Sequence, residues 1–126
     1  MGTGNSSLYN GTTGSFRESS IQHNVDAMSG KYKISTGGYF GEKGKNVRVI
    51  RSPDPVTTSI DFYQKIGKGG QIENLPNGKG TKTLLGDGTV IVHRIITSTK
   101  GSPAVEISVS GSPKIKNQKI HFILEE

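Results

Sequence analysis

"QIENLPNGKGTKTLLGDGTVIVHRIIT" spans residues 71–97, and its punctuation decides the fold class. Asn77-Gly78 and Asp87-Gly88 each sit between short apolar runs, and such dipeptides accept the backbone angles that close tight β-hairpins. "QIENL", "TKTLL" and "TVIVHRIIT" therefore read as three successive strands. The third is apolar on both faces, as suits a central strand. Val90, Val92, Arg94 and Ile96 line one of its sides, and Ile91, His93 and Ile95 the other.

Working outward, "STKGSP" (98–103) turns the chain into "AVEISVS" (104–110), and "GSPKIKN" (111–117) turns it into "KIHFILE" (119–125). Upstream, "SPDPVTTSIDFYQKIGKGG" (52–70) reads as a helix. Pro53 and Pro55 bar a strand, and Thr57 or Thr58 can cap. Ile60, Tyr63 and Ile66 form one stripe that Phe62 widens, and Gly67 stops the helix. Before it, "NVRVIR" (46–51) has strand alternation, and "SSIQHNVDAMSG" (19–30) spaces Ile21, Val25 and Met28 as a short helix does. The expected fold is α+β: a short N-terminal helix or helices packed on a four- to five-stranded antiparallel sheet. Residues 1–45 read as a variable Gly/Ser-rich lead-in or linker region, and residues 46–126 as the folded domain.

Composition narrows the classes. A chain of 126 residues with 18 glycines, 5 prolines and 30% hydrophobic residues suits short strands and tight turns around a modest core. No apolar run approaches the roughly 20 residues of a membrane-spanning helix. "MGTGNSSLYNGTTGS" has neither a basic start nor an apolar stretch, so it does not read as a signal peptide. With no cysteine, disulfides and thiolate metal sites are excluded. The net charge of +6, concentrated in the second half, points to a polyanionic partner, either nucleic acid or an acidic protein.

Strand alternation sorts the reactive side chains. Val105, Ile107 and Val109 face one way, leaving Glu106 and Ser108 on the other; Ile120, Phe122 and Leu124 face the core, leaving Lys119 and His121. If these two strands pair, Glu106, Lys119 and His121 share a surface. His, Glu, Lys and Arg together suffice for metal-independent RNA cleavage. A base takes the ribose 2′-OH proton, an acid protonates the departing 5′-oxygen, and a cation steadies the phosphorane. Histidines at 23, 93 and 121 lack HxH or HExxH spacing, so no metal or other cofactor is expected. The serines lack a nucleophile-elbow context, and "NGKGTKT" lacks P-loop spacing. Lys65, Lys68, Lys79 and Lys82 are nevertheless candidates to line a phosphate-binding groove.

Four ordered motifs carry a resemblance: "DFYQKIGKGG", "LPNGKGTKTLLGDGTVIVHR", "TSTKGSPAVEI" and "IKNQKIHF". Together, over roughly residues 47–124, they resemble the C-terminal toxin domains of bacterial polymorphic and contact-dependent growth inhibition proteins. The closing pattern is similar to the barnase, colicin E5/D and RelE-like ribonuclease group. The resemblance implies a toxin domain secreted or delivered from the cell surface as part of a larger protein and acting in the target-cell cytoplasm. It implies RNA as substrate, tRNA in particular, and an acidic cognate immunity protein as partner. Arg94, Thr97, Ser98, Lys100, Gln118, Lys119 and His121 are the polar positions within the motifs.

The expected function is a metal-independent endoribonuclease that cleaves by 2′-OH transesterification. His121 is the expected acid or base and Glu106 its complement. Arg94 and Lys119 stabilise charge, and Ser98 and Thr97 position the phosphate; Lys100, Gln118, Lys82 and Lys79 bind substrate. The alternatives are a non-enzymatic structural or binding module of a secreted or phage-tail protein, or a toxin with DNase chemistry.

Overall fold

Asp54 starts the longest helix, because its carboxylate accepts the Thr57 amide proton and Pro55 occupies the first helical position, where no amide donor is needed. The computed structural model describes residues 13–95, 102–111 and 114–125. Its helices are α1 (Thr13–Glu18), α2 (Ile21–Ala27) and α3 (Pro55–Ile66). The strands are β1 (Glu42–Lys43), β2 (Arg48–Ser52), β3 (Gln71–Asn74), β4 (Thr81–Leu84), β5 (Val90–Arg94), β6 (Ala104–Ser108) and β7 (Gln118–Leu124).

The strands form one sheet in the order β1-β2-β7-β6-β5-β4-β3. This corrects the expected fold: the sheet has seven strands rather than four or five, and it is mixed rather than antiparallel, although the class remains α+β. β3 to β7 run antiparallel in chain order, while β2 pairs with β7 in parallel. Topology explains the parallel pair. α3 carries the chain from β2 across the sheet to β3 on the far edge, as helical crossovers do between strands of like direction. Four reversals then return β7 to the direction of β3, so it meets β2 head to head. Nothing in the local pattern of "NVRVIR" distinguishes that partner from any other.

α3 packs against β7, β5, β2 and β6 on one face of the sheet. Phe62 on α3 is fully buried and meets the rings of Tyr32, Phe40 and Phe122 edge-on at 5.1, 4.9 and 5.6 Å. Ile21, Val25 and Met28 of the α2 region join the same core, along with Ile66, Ile91, Val105, Ile107 and Ile120. Gly80 lies where a Cβ would run into the His93 carbonyl oxygen, and its φ of +137° belongs to glycine. That close approach holds the β3–β4 turn against β5.

The opposite face of the sheet carries no helix in contact with it among the described elements. Alternation and register assign Lys82, Leu84, Val90, Val92, Arg94, Ala104, Glu106, Ser108, Lys119 and His121 to this open face.

Candidate functional site

Two rows of residues cross the open face. One runs Glu73, Lys82, Val92, Glu106, Lys119 through successive strand pairs, from β3 to β7. The neighbouring row runs Arg94, Ala104, His121, Val49 from β5 to β2. Direct cross-strand neighbours hold their Cβ atoms about 5 Å apart, and diagonal neighbours roughly 7–8 Å. Glu106 and Lys119 are therefore immediate neighbours, and His121 is diagonal to Glu106. Ala104, buried at 2% exposure, separates Arg94 from His121 in this row.

The contacts within the cluster are specific. Arg94 Nη1 lies 3.7 Å from Glu106 Oε1 in a half-exposed ion pair. Such a pair adds at most about 1 kcal/mol to stability, so its interest is positional. His121 is only 6% exposed, and its Nδ1 lies 2.9 Å from Ser102 Oγ. When Nδ1 carries the proton it donates to Ser102, and Nε2 is left as the second proton-exchanging atom. Burial pushes the His121 imidazole below the ordinary histidine range, and the Lys119 charge pushes it the same way. The neutral ring is thus favoured.

The fold therefore brings together His121, Glu106, Arg94, Lys119 and Lys82. Other expected residues fall elsewhere. Gln118 lies on the helix-covered side, where its amide is committed to backbone: Oε1 accepts from Phe40 N at 2.8 Å, and Nε2 donates to Gly38 O at 2.9 Å and Lys116 O at 2.8 Å. It holds the 38–40 segment against the start of β7. Lys79 is exposed at the end of the β3–β4 turn, just outside β4. Thr97, Ser98 and Lys100 lie outside the described residues.

Sequence reasoning missed Ser102, whose only local signal is its place before Pro103 at the mouth of β6. It also missed a cleft of about 450 Å³ beside Lys119, lined from one side by the β1–β2 hairpin. That hairpin reaches the cluster only through the parallel pairing of β2 with β7.

His93 offers a contrast on the covered face. It is 5% exposed, its Nε2 lies 3.0 Å from Ser59 Oγ, and its ring stacks on Tyr63 at 4.9 Å. The Tyr63 hydroxyl accepts from Thr81 and Thr83 at 3.0 and 2.7 Å, closing a buried polar network. Burial alone pushes the His93 imidazole down. Among the described residues, no group of three or more His, Asp or Glu is arranged to hold a metal ion, and no helix is long and apolar enough to cross a membrane. Comparison with known proteins gives no match to a family model, to a curated protein or to a solved structure.

Proposed function

We propose that the open face is the active surface of a metal-independent endoribonuclease. The observation that carries this reading is the register of β5, β6 and β7, which gathers a histidine, a carboxylate and two cations on one face of the sheet. In the proposed reaction Glu106, as the carboxylate paired with Arg94, takes the proton from a ribose 2′-OH. The 2′-oxygen attacks phosphorus and the bond to the 5′-oxygen breaks. His121 gives its proton to that leaving oxygen, so the products are a 2′,3′-cyclic phosphate and a 5′-hydroxyl. Arg94 and Lys119 balance the charge that builds on the phosphorane. The phosphate that needs the imidazolium also favours it, because its negative charge offsets Lys119. Lys82, one strand beyond Val92 in the same row, extends the basic track for the RNA backbone.

The resemblance to polymorphic toxin domains supports delivery into a target cell, tRNA as the substrate, and an acidic immunity protein as the partner of this basic surface. The test is incubation of the purified chain with total RNA in EDTA. Fragments ending in 2′,3′-cyclic phosphate are expected; intact RNA would remove the nuclease reading, and full activity of His121→Ala would remove this site. A DNase reading predicts loss of activity in EDTA. A second reading is a non-catalytic module that binds polyanions, favoured by the near-complete burial of His121 and its bond to Ser102. It predicts salt-sensitive RNA binding without cleavage.

A further inference from the structure

The cleft beside Lys119 has the make-up of a nucleotide site. At about 450 Å³ it falls in the usual size range of small-molecule pockets. Tyr39, Lys43, Asn46 and Arg48 line it from the hairpin side, and Asn117 and Lys119 from β7 and the segment before it. No acidic residue is among the described residues that line it, so three cations act with one sign.

Its walls are held in place. Arg48 Nε donates to Phe40 O at 2.9 Å and Nη2 to Gly41 O at 2.8 Å. These bonds set the guanidinium 5.0 Å from the centre of the Tyr39 ring, a planar cation against an aromatic face. Asn46 sits in the hairpin turn with a φ of +60°, and the turn is closed by Gly44 N donating to Val47 O at 2.8 Å. Asn117 Oδ1 accepts from Val109 N at 2.8 Å, which commits the oxygen and makes its amide NH₂ the donor it has for a ligand.

Sites for single-stranded nucleic acid combine a basic groove with an aromatic surface, and this cleft has both. Lys119 lines the cleft and pairs with Glu106 across β6 and β7, so it is the residue that the cleft shares with the cluster on the open face. We infer that the cleft binds one ribonucleotide next to the scissile phosphate. Lys43 and Lys119 hold its phosphate, the Tyr39–Arg48 wall takes the base, and the amides of Asn46 and Asn117 read the base edge. The position relative to the scissile bond rests on the nuclease reading; the binding of the nucleotide does not.

The experiment uses the full chain, titrated by NMR with the four ribonucleoside 5′-monophosphates and with inorganic phosphate. These probes contain no internucleotide linkage, so binding is read whether or not the protein cleaves RNA. At least one nucleotide is expected to bind about tenfold or more tightly than phosphate, and Tyr39→Ala to weaken it by about tenfold or more. Lys43→Gln is expected to weaken nucleotide and phosphate alike. Asn46→Gly keeps the left-handed turn and is expected to level the preference among the four bases. Nucleotides binding no better than phosphate, or binding equally to all three variants, would overturn the inference. If wild type leaves RNA intact but loses nucleotide binding in these variants, the cleft stands and the nuclease reading falls. If RNA is cut at the same positions and rates by all three variants, the cleft falls and the nuclease reading stands.

Discussion

His93 and His121 stand on opposite faces of one sheet, each with a serine hydroxyl about 3 Å from a ring nitrogen. On the covered face, His93 is stacked on Tyr63, and burial alone lowers its proton affinity. On the open face, His121 is equally buried, but its neighbours are Lys119, Glu106 and Arg94. The difference teaches that burial and a hydroxyl partner do not mark a functional histidine. What sets His121 apart as the candidate is its ionisable company.

The comparison makes the covered face the seat of stability, and the proposed function would make the open face the seat of chemistry; variants can break that division. Phe62→Ala, which empties the centre of four aromatic rings, is expected to cost about 3–5 kcal/mol in urea unfolding. A loss below about 1 kcal/mol would mean that the core is centred elsewhere.

The two histidines give the sharpest pair. His121→Asn is expected to lower RNA cleavage roughly 10²–10⁴-fold. His93→Asn is expected to cost about 1–3 kcal/mol by removing the buried bond to Ser59 and the ring stack on Tyr63, with activity per folded molecule near wild type. Equal losses of cleavage in both, at equal folded fraction, would erase the distinction.

Acid should weaken the fold through both rings. Each has its proton affinity lowered in the native state, so the unfolded chain binds more protons as the pH falls below the ordinary histidine value of about 6.5. Their stabilisation is complete above that value and is lost as the pH falls toward the depressed native values. Urea midpoints should drop between about pH 7.5 and pH 5, and each His→Asn variant should flatten the drop. For cleavage, kcat/KM should fall as the pH rises through a value below about 6.5 if His121 is the acid. A rise there would exchange its role with that of Glu106.

The smallest effect on stability belongs to the open-face ion pair. Glu106→Gln should change the unfolding free energy by no more than about 1 kcal/mol while reducing cleavage at least tenfold. A large stability loss with unchanged cleavage would turn the pair into a structural feature.

Much of the cluster was legible in the chain. Asn-Gly and Asp-Gly signalled hairpins, and alternation put Glu106, Lys119 and His121 on one face, because side-chain direction in a strand depends only on parity. Gln118 shows where such reasoning stops. Parity sends it to the covered side, but only the crossing of the 38–40 segment over the start of β7 explains its commitment to backbone. The capping of α3 differs for a similar reason. Thr57 and Thr58 are good caps by type, but Asp54 followed by Pro55 starts the helix earlier, and Thr58 is drawn into a bond with Ser52 at 2.6 Å.

The sequence alone determined the hairpins, the strand faces and the basic charge, since each follows from neighbours within a few residues. Tertiary structure decided the strand count, the parallel docking of β2 on β7, and with it the cleft that joins Tyr39, Lys43 and Arg48 to Lys119. Residues some 70 positions apart meet there because α3 spans the sheet to bury Phe62, and the free energy of that burial belongs to the whole core rather than to any local pattern.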